Sequence, residues 1–538
     1  MIFQTALFIF YYSLLMAVGS FVYKFHTYES KSTEKSKLFG IEVSTFYPIV
    51  ALFFIGNLLI ILNFFISLKY ARFLIIFILL FFSKGIFKEL MNLFGSNFQK
   101  NKIHLILFPA IASFFLVDLG FNYDAGLYNL KYQKYIYNQK ILINATLFDP
   151  SLGLTQVGDY LSSLHFIKSN YLYMYFPNLV FVVVFFNFLL QNLQKNNKIY
   201  KTGFIFIILF GILDNFGYLG GRNGFIYFEN LGKQDITFSI LFFITSFLIF
   251  YLYEEDKIEK PELLLIFLIT IFTIQYRLIG YLNLIFFVLL LFIKKYKLIK
   301  KEFYFGSSIL GFWLLRNLLL TKCLIYPVSF TCFNDSKVSY YFSQDIRTYN
   351  RAYNFGDNLI DWFNNWYEIE IYRNILINFV ISIFLLLIIK YLFFQKIKFT
   401  KKNYYLFICS HLAIFLFGSP DFRFLIGSIL FFIFIKFFNY EIRQKYFITK
   451  LNKYSTVLLV LTFIFTLRVT TYVNYFENIF NVNVLQPPNI QTELRPDGFE
   501  KPIYGDQCWE NLQCTNIKLD IVLKKSEKYG YKIFNISN

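Results

Sequence analysis

Asp124 stands in NYDAGLY (122–128), shortly after the apolar run HLILFPAIASFFLV (104–117). A carboxylate at that position can orient or deprotonate a hydroxyl, or hold a divalent ion. Basic residues occupy comparable places elsewhere: Arg222 and Asn223 in GGRNG (220–224), Arg277, the pair Arg316-Asn317, and Arg423 beside Asp421 in SPDFRF (419–424). Asp118 lies on the other side of Asp124 from the helix that follows. The guanidinium fork matches a phosphate oxygen pair. Such residues together suit a hydroxyl acceptor meeting a phosphate leaving group. Each also has a plain structural role open to it. Arg423 can pair with Asp421 across a turn, Arg316 can snorkel to the membrane interface, and Asp124 can cap the helix that AGLYNLKYQKYIYNQ (125–139) starts. In that segment Leu127, Leu130, Lys134 and Tyr137 fall about one turn apart, as in an amphipathic surface helix.

The elements that must position these residues are set by composition. The 538 residues are 57% hydrophobic and 16% charged, with mean hydropathy +0.50. Repeated apolar stretches of about 20 residues mark helices that cross a bilayer. The candidate spans are 2–23, 45–67, 70–83, 104–119, 172–192, 202–218, 236–253, 262–277, 279–293, 303–320, 373–394, 404–418, 423–438 and 454–470. The expected fold is therefore all-α, a polytopic transmembrane bundle of about 12–14 spans. The apolar N-terminus lacks a basic lead and is long enough to span, so it reads as a retained first helix.

The net charge of +19 does not point to nucleic acid. The lysines cluster in short connecting loops, which the positive-inside rule makes cytoplasmic, and no zinc-finger or phosphate-loop spacing accompanies them. The remaining connections are then extracytoplasmic: the long loops 120–171 and 321–372, GGRNG, SPDFRF and a tail from 472 to 538. Both termini fall on that side. Residues 1–471 form the membrane domain and 472–538 a small outer unit. Cys323 and Cys332, and Cys508 and Cys514, form two close pairs on the outward segments, where disulfides form. Cys409 sits alone in a span.

The ordered set DAGLY (124–128), RN…CLIYPVSFTCF (316–333), SPDFRF (419–424) and GDQCW…CT (505–515) resembles an uncharacterised family of bacterial polytopic membrane proteins. That family in turn resembles the GT-C superfamily of glycosyltransferases, in which a first long outer loop carries a key Asp after a span, followed by a surface helix. Asn129 stands where the family has His, and YRLIG (276–280) replaces a Lys-Leu-Ser-like segment. The resemblance implies an inner-membrane enzyme that takes a sugar from a polyprenyl-phosphate donor and gives it to an envelope glycan or lipid on the outer side. Asp124 is the catalytic acid so implied, or the metal-holding one if a divalent cation takes part. Arg316, Arg277, Arg222, Asn317, Arg423 and Asp421 are the candidate substrate contacts. Two rival readings are an O-antigen-type polymerase, in which the arginines matter more, and a flippase for lipid-linked sugars.

Overall fold

The computed structural model describes residues 1–26, 37–38, 41–95, 102–194, 198–215, 228–254, 260–294, 300–333, 359–396, 424–442, 445–495, 499–515, 523–528 and 531–536. The expected span 404–418, and with it Arg222, Asp421 and Arg423, lies outside them.

The chain is mostly helical. Among the described residues six helices are long and apolar enough to cross a membrane: Ile2–Phe25, Val43–Asn63, Tyr171–Gln194, Asp235–Glu254, Phe303–Thr321 and Tyr372–Phe393. Ile103–Val117, Pro261–Tyr276, Leu278–Lys294 and Ile426–Phe437 are shorter apolar helices. Two expected spans differ in detail, and one expected break is met. The segment 70–83 is helix Leu68–Phe81, followed after one residue by Ser83–Phe94. The expected pair 262–277 and 279–293 is present as two helices parted at Arg277, whose extended backbone breaks the ladder. The expected span 454–470 overruns a bend of 79° between Thr456–Thr466 and Val469–Glu477. Four two-stranded antiparallel sheets, which the all-helical expectation lacked, occur among the described residues; three are hairpins and one joins Phe394–Lys396 to Tyr440–Ile442.

Aromatic rings fill the bundle core. Phe186 stacks on Phe463 and Phe206 on Phe437, each with centroids 4.0 Å apart. Some polar groups in the core pair across helices, since hydrocarbon offers them no partner. Asn57 and Gln275 exchange side-chain hydrogen bonds of 3.2 and 2.6 Å. Asn187 donates to Tyr12 at 2.9 Å.

Contacts sort the connections into two ends. At one, Lys24 pairs with Glu89 at 2.7 Å, strand Phe394–Lys396 pairs with Tyr440–Ile442, and Lys294 lies over the Tyr253 ring. These are the basic connections. At the other end of helix Ile2–His26, Gln4 donates to the Asn483 carbonyl at 2.8 Å. There Asn483 also donates to Leu116, Tyr171 to Leu485, and Leu231 to Gly120. Ile143 bridges to Ile533 and the Asn144 N–H donates to the Leu319 carbonyl. The first long loop, the 228–235 connection and the tail thus form one layer over the bundle.

Helix Ile2–His26 and helix Tyr47–Asn63 touch through backbone. A Cβ on Gly19 would fall 1.9 Å from the Tyr47 carbonyl oxygen, so the close approach requires glycine. Gly19→Val is expected to lower stability by about 1–3 kcal/mol through forced separation of these helices. Thermal unfolding in detergent micelles checks this; an unchanged midpoint would contradict it.

Candidate functional site

Asp124 stands at the start of the helix expected at the surface; six of the nine residues of Leu130–Asn138 are buried, because the tail packs over it. A π-helical turn, Ala125–Asn129, leads into Leu130–Asn138. Asp124 sits at the N-cap position but makes no side-chain capping bond. Its backbone N–H donates to Asn122 Oδ1 at 3.2 Å, and its carbonyl accepts from Asn129 at 3.4 Å. The carboxylate itself is partly exposed and has no hydrogen-bond or ion-pair partner among the described residues. The capping role open to Asp124 from sequence is therefore not the role it takes.

Two segments hold this helix start in place. From one side, the Asn122 N–H donates to the Leu231 carbonyl at 2.8 Å, and Asn129 Nδ2 donates to the Gly232 carbonyl at 2.6 Å. Gly232 has φ +96° and lies against Ala125, where a Cβ on Gly232 would stand 2.4 Å from that of Ala125. From the other side comes the tail. The Trp509 N–H donates to the Gly126 carbonyl at 2.8 Å, Gln507 donates to the Tyr123 carbonyl at 3.0 Å, and the Tyr123 hydroxyl donates to Asp506. A Cβ on Gly126 would come within 2.9 Å of Gln507 and Trp509. The small residues of DAGLY thus admit the loop and the tail, leaving Asp124 as the residue of that motif with an unused polar group.

The tail is fastened further along the same helix. Lys131 and Asp149, both buried, pair at 2.5 Å, and Lys131 also donates to the Cys514 carbonyl at 3.2 Å. Lys134 pairs with Glu510 at 3.1 Å, and the Tyr135 hydroxyl donates to the Leu512 carbonyl. Cys508 and Cys514 are joined with an S–S distance of 2.05 Å, closing the loop that carries Trp509. Cys323 and Cys332 are joined at 2.03 Å in the other outer segment.

Arg277 hydrogen-bonds and ion-pairs with Asp235 at the start of helix Asp235–Glu254. Its guanidinium lies 4.4 Å from the centroid of the Phe424 ring, and a quarter of its side chain is exposed. Asp235 belongs to the connection whose Gly232 holds the Asp124 helix. One continuous strip of chain therefore links Asp124, Arg277 and the last residue of SPDFRF.

Arg316 does not open onto that strip. It is fully buried. Its Nη atoms donate to Tyr132 Oη at 2.6 Å, to Asn317 Oδ1 at 2.9 Å and to Thr155. Trp313, Tyr132 and Tyr160 surround it, with ring centroids 4.8, 5.4 and 5.8 Å from its central carbon. Arg316 was expected as a favoured phosphate contact, with Asn317 beside it; Arg316 instead braces the first long loop, and Asn317 joins it to the Leu324 carbonyl at 3.4 Å. Among the described residues no carboxylate pairs with Arg316 directly. The nearby acid is Asp159, which accepts from the Gln156 N–H at 2.7 Å and from Gln133 at 2.9 Å. Burial pushes the Asp159 carboxyl up to about 6, against the pull of these bonds and of the Arg316 charge.

Sequence reading missed Asp159, the Lys131–Asp149 pair and the trio Asp506, Gln507 and Trp509. The signal for the trio was present, because GDQCW had been singled out; nothing in one chain says that it docks on DAGLY. No group of three or more His, Cys, Asp or Glu side chains converges among the described residues. They supply no ligand set for a divalent ion at Asp124.

Two outcomes follow. Asp149→Asn leaves the Lys131 ammonium buried without its counter-charge and should cost about 3–5 kcal/mol, read as a lower unfolding midpoint. Asp159 binds its proton more tightly folded than unfolded. The native state therefore holds more protons between pH 4 and 6, and stability falls as pH rises through that window. The drop is on the order of 3 kcal/mol for a shift of about two pKa units. Denaturation midpoints across that range in wild type and Asp159→Asn check it; an equal slope in both would contradict the assignment.

Comparison with curated proteins and with solved structures gave no match for this chain. One protein-family model, described as a domain of unknown function (DUF8201), matches residues 1–430. That stretch holds Asp124, Arg277 and Arg316 and stops short of the docked tail, and the chain belongs to the DUF8201 family.

Proposed function

We propose that the protein is a membrane glycosyltransferase of GT-C type, with about 12–14 spans, in a bacterial inner membrane. It would transfer a sugar from a polyprenyl-phosphate donor to an envelope glycan or lipid. The end bearing Asp124, both termini and the tail would be extracytoplasmic, since the opposite end carries the basic connections. The observation that carries this reading is the Asp124 carboxylate. It is held on a clamped helix start, is partly exposed, and has no partner among the described residues. A carboxylate in such a setting keeps its acceptor lone pairs for water or for an incoming hydroxyl. One kept open suits a group that meets a substrate.

In the reaction the acceptor hydroxyl donates its hydrogen bond to Asp124. Its oxygen attacks the anomeric carbon as the bond from that carbon to the phosphate oxygen breaks. The proton passes to Asp124, and the bonding pair leaves with the polyprenyl phosphate. Arg277 stands at the same end with a quarter of its side chain exposed and is the described arginine best placed to meet that negative charge.

The test uses purified protein in liposomes with polyprenyl-phosphate sugars and an envelope-lipid extract. Asp124→Asn should lower sugar transfer about 10²–10⁴-fold. Its unfolding midpoint should hardly move, within about 0.5 kcal/mol, because no native bond is lost. Transfer at the wild-type rate in the variant would overturn the assignment.

A further inference from the structure

The span containing Thr456–Thr466 ends in a sharp bend, and helix Val469–Glu477 leaves it at 79°. This helix has nine residues and rises about 13 Å, well under the ~30 Å of a bilayer core. One face packs on the protein. Thr471 and Tyr475 are buried, the Tyr475 ring lies 4.2 Å from Phe114, and its hydroxyl is 2.9 Å from Thr5 Oγ1. Asn474 donates to Asp118 at 2.8 Å.

The other face is apolar and bare. Val469 is 78% exposed and Phe480, just past the helix, 88%; Val473 and Phe476 between them are also exposed. Their spacing of three to four residues puts them on one stripe. The stripe continues backward across the bend, where Val457, Leu461 and Phe465 are exposed on the preceding span. At the bend stands the exposed Arg468, and Glu477 is exposed at the far end of the helix.

We infer that Val469, Val473, Phe476 and Phe480 form an interfacial anchor whose occupant is the bilayer itself. The helix lies in the membrane plane, with this stripe among the upper acyl chains and its charged ends at the headgroups. Continuity with the exposed face of the span names lipid as the partner. The Asn474–Asp118 bond and the flanking charges set the depth, because such groups stay out of the hydrocarbon centre. The anchor has a consequence for the rest of the tail. Asn483, directly after it, donates to the Leu116 carbonyl at 2.7 Å, and the chain then runs on to the loop that holds the Asp124 helix. The anchor fixes the height of that loop over the membrane.

Site-directed spin labelling tests this in the full chain, reconstituted in vesicles of phosphatidylcholine and phosphatidylglycerol. Labels replace Val469→Cys, Phe476→Cys and Phe480→Cys, one at a time, with Cys409→Ser to remove the lone thiol. All three positions are surface positions, so the label reports environment without disturbing packing. The expected result is that oxygen relaxes each label more than a water-soluble nickel chelate does, at a depth of about 5–10 Å below the phosphates. A Phe480 label at the bilayer centre would overturn the inference in favour of a broken span. Labels relaxed mainly by nickel would overturn it in favour of a water-facing surface.

Discussion

Hydrocarbon cannot hydrogen-bond, and that constraint organises the molecule. Polar groups inside the bundle have to find one another, as Asn57 does with Gln275. Charges and irregular backbone are driven to the ends of the helices. Once they collect there, loops far apart in sequence become neighbours. The first long loop, the 228–235 connection and the tail have no common core of their own in the sequence. They share one because the bundle brings their ends together.

Within that layer the charges differ in accessibility. Lys131 with Asp149, and Arg316 with its ring of tyrosines, are sealed and fix the shape of the loop. Burying such groups costs desolvation that only good geometry offsets. Arg277 keeps part of its surface open while held by Asp235. Asp124 stands apart, on rigid backbone with its carboxylate uncommitted. The docked tail supplies much of that rigidity, through bonds to the Gly126 and Tyr123 carbonyls and a close approach that only a glycine at 126 admits.

Much of the fold was legible in the sequence because length and hydropathy are direct consequences of the bilayer. The helices at 2–26, 47–63, 171–194 and 235–254 follow from apolar runs alone. The bend after Thr466 was not legible: the span read as 454–470 runs four residues past it, and the helix Val469–Glu477 that follows fell in what was read as tail. At the site, Asp124 was visible from its place after a span, and its lack of a cap was not. Arg316 looked like a rim residue because a guanidinium near a helix end can face either way. Only the packing of Tyr132, Tyr160 and Trp313 turns it inward. The partners of the tail lie hundreds of positions away, as Lys134 does from Glu510, and spacing in a single chain carries no trace of them.

The central claim is that the end bearing Asp124 faces away from the cytoplasm. Single cysteines in a Cys409→Ser background test it most directly. Tyr504→Cys marks the tail beside the Asp124 helix, and Phe25→Cys marks the opposite end; both side chains are exposed. The account predicts that a membrane-impermeant maleimide labels Tyr504→Cys in intact cells or spheroplasts, and labels Phe25→Cys only after lysis. The reverse pattern would contradict it, placing the candidate site where lipid-linked sugars on the outer leaflet cannot reach.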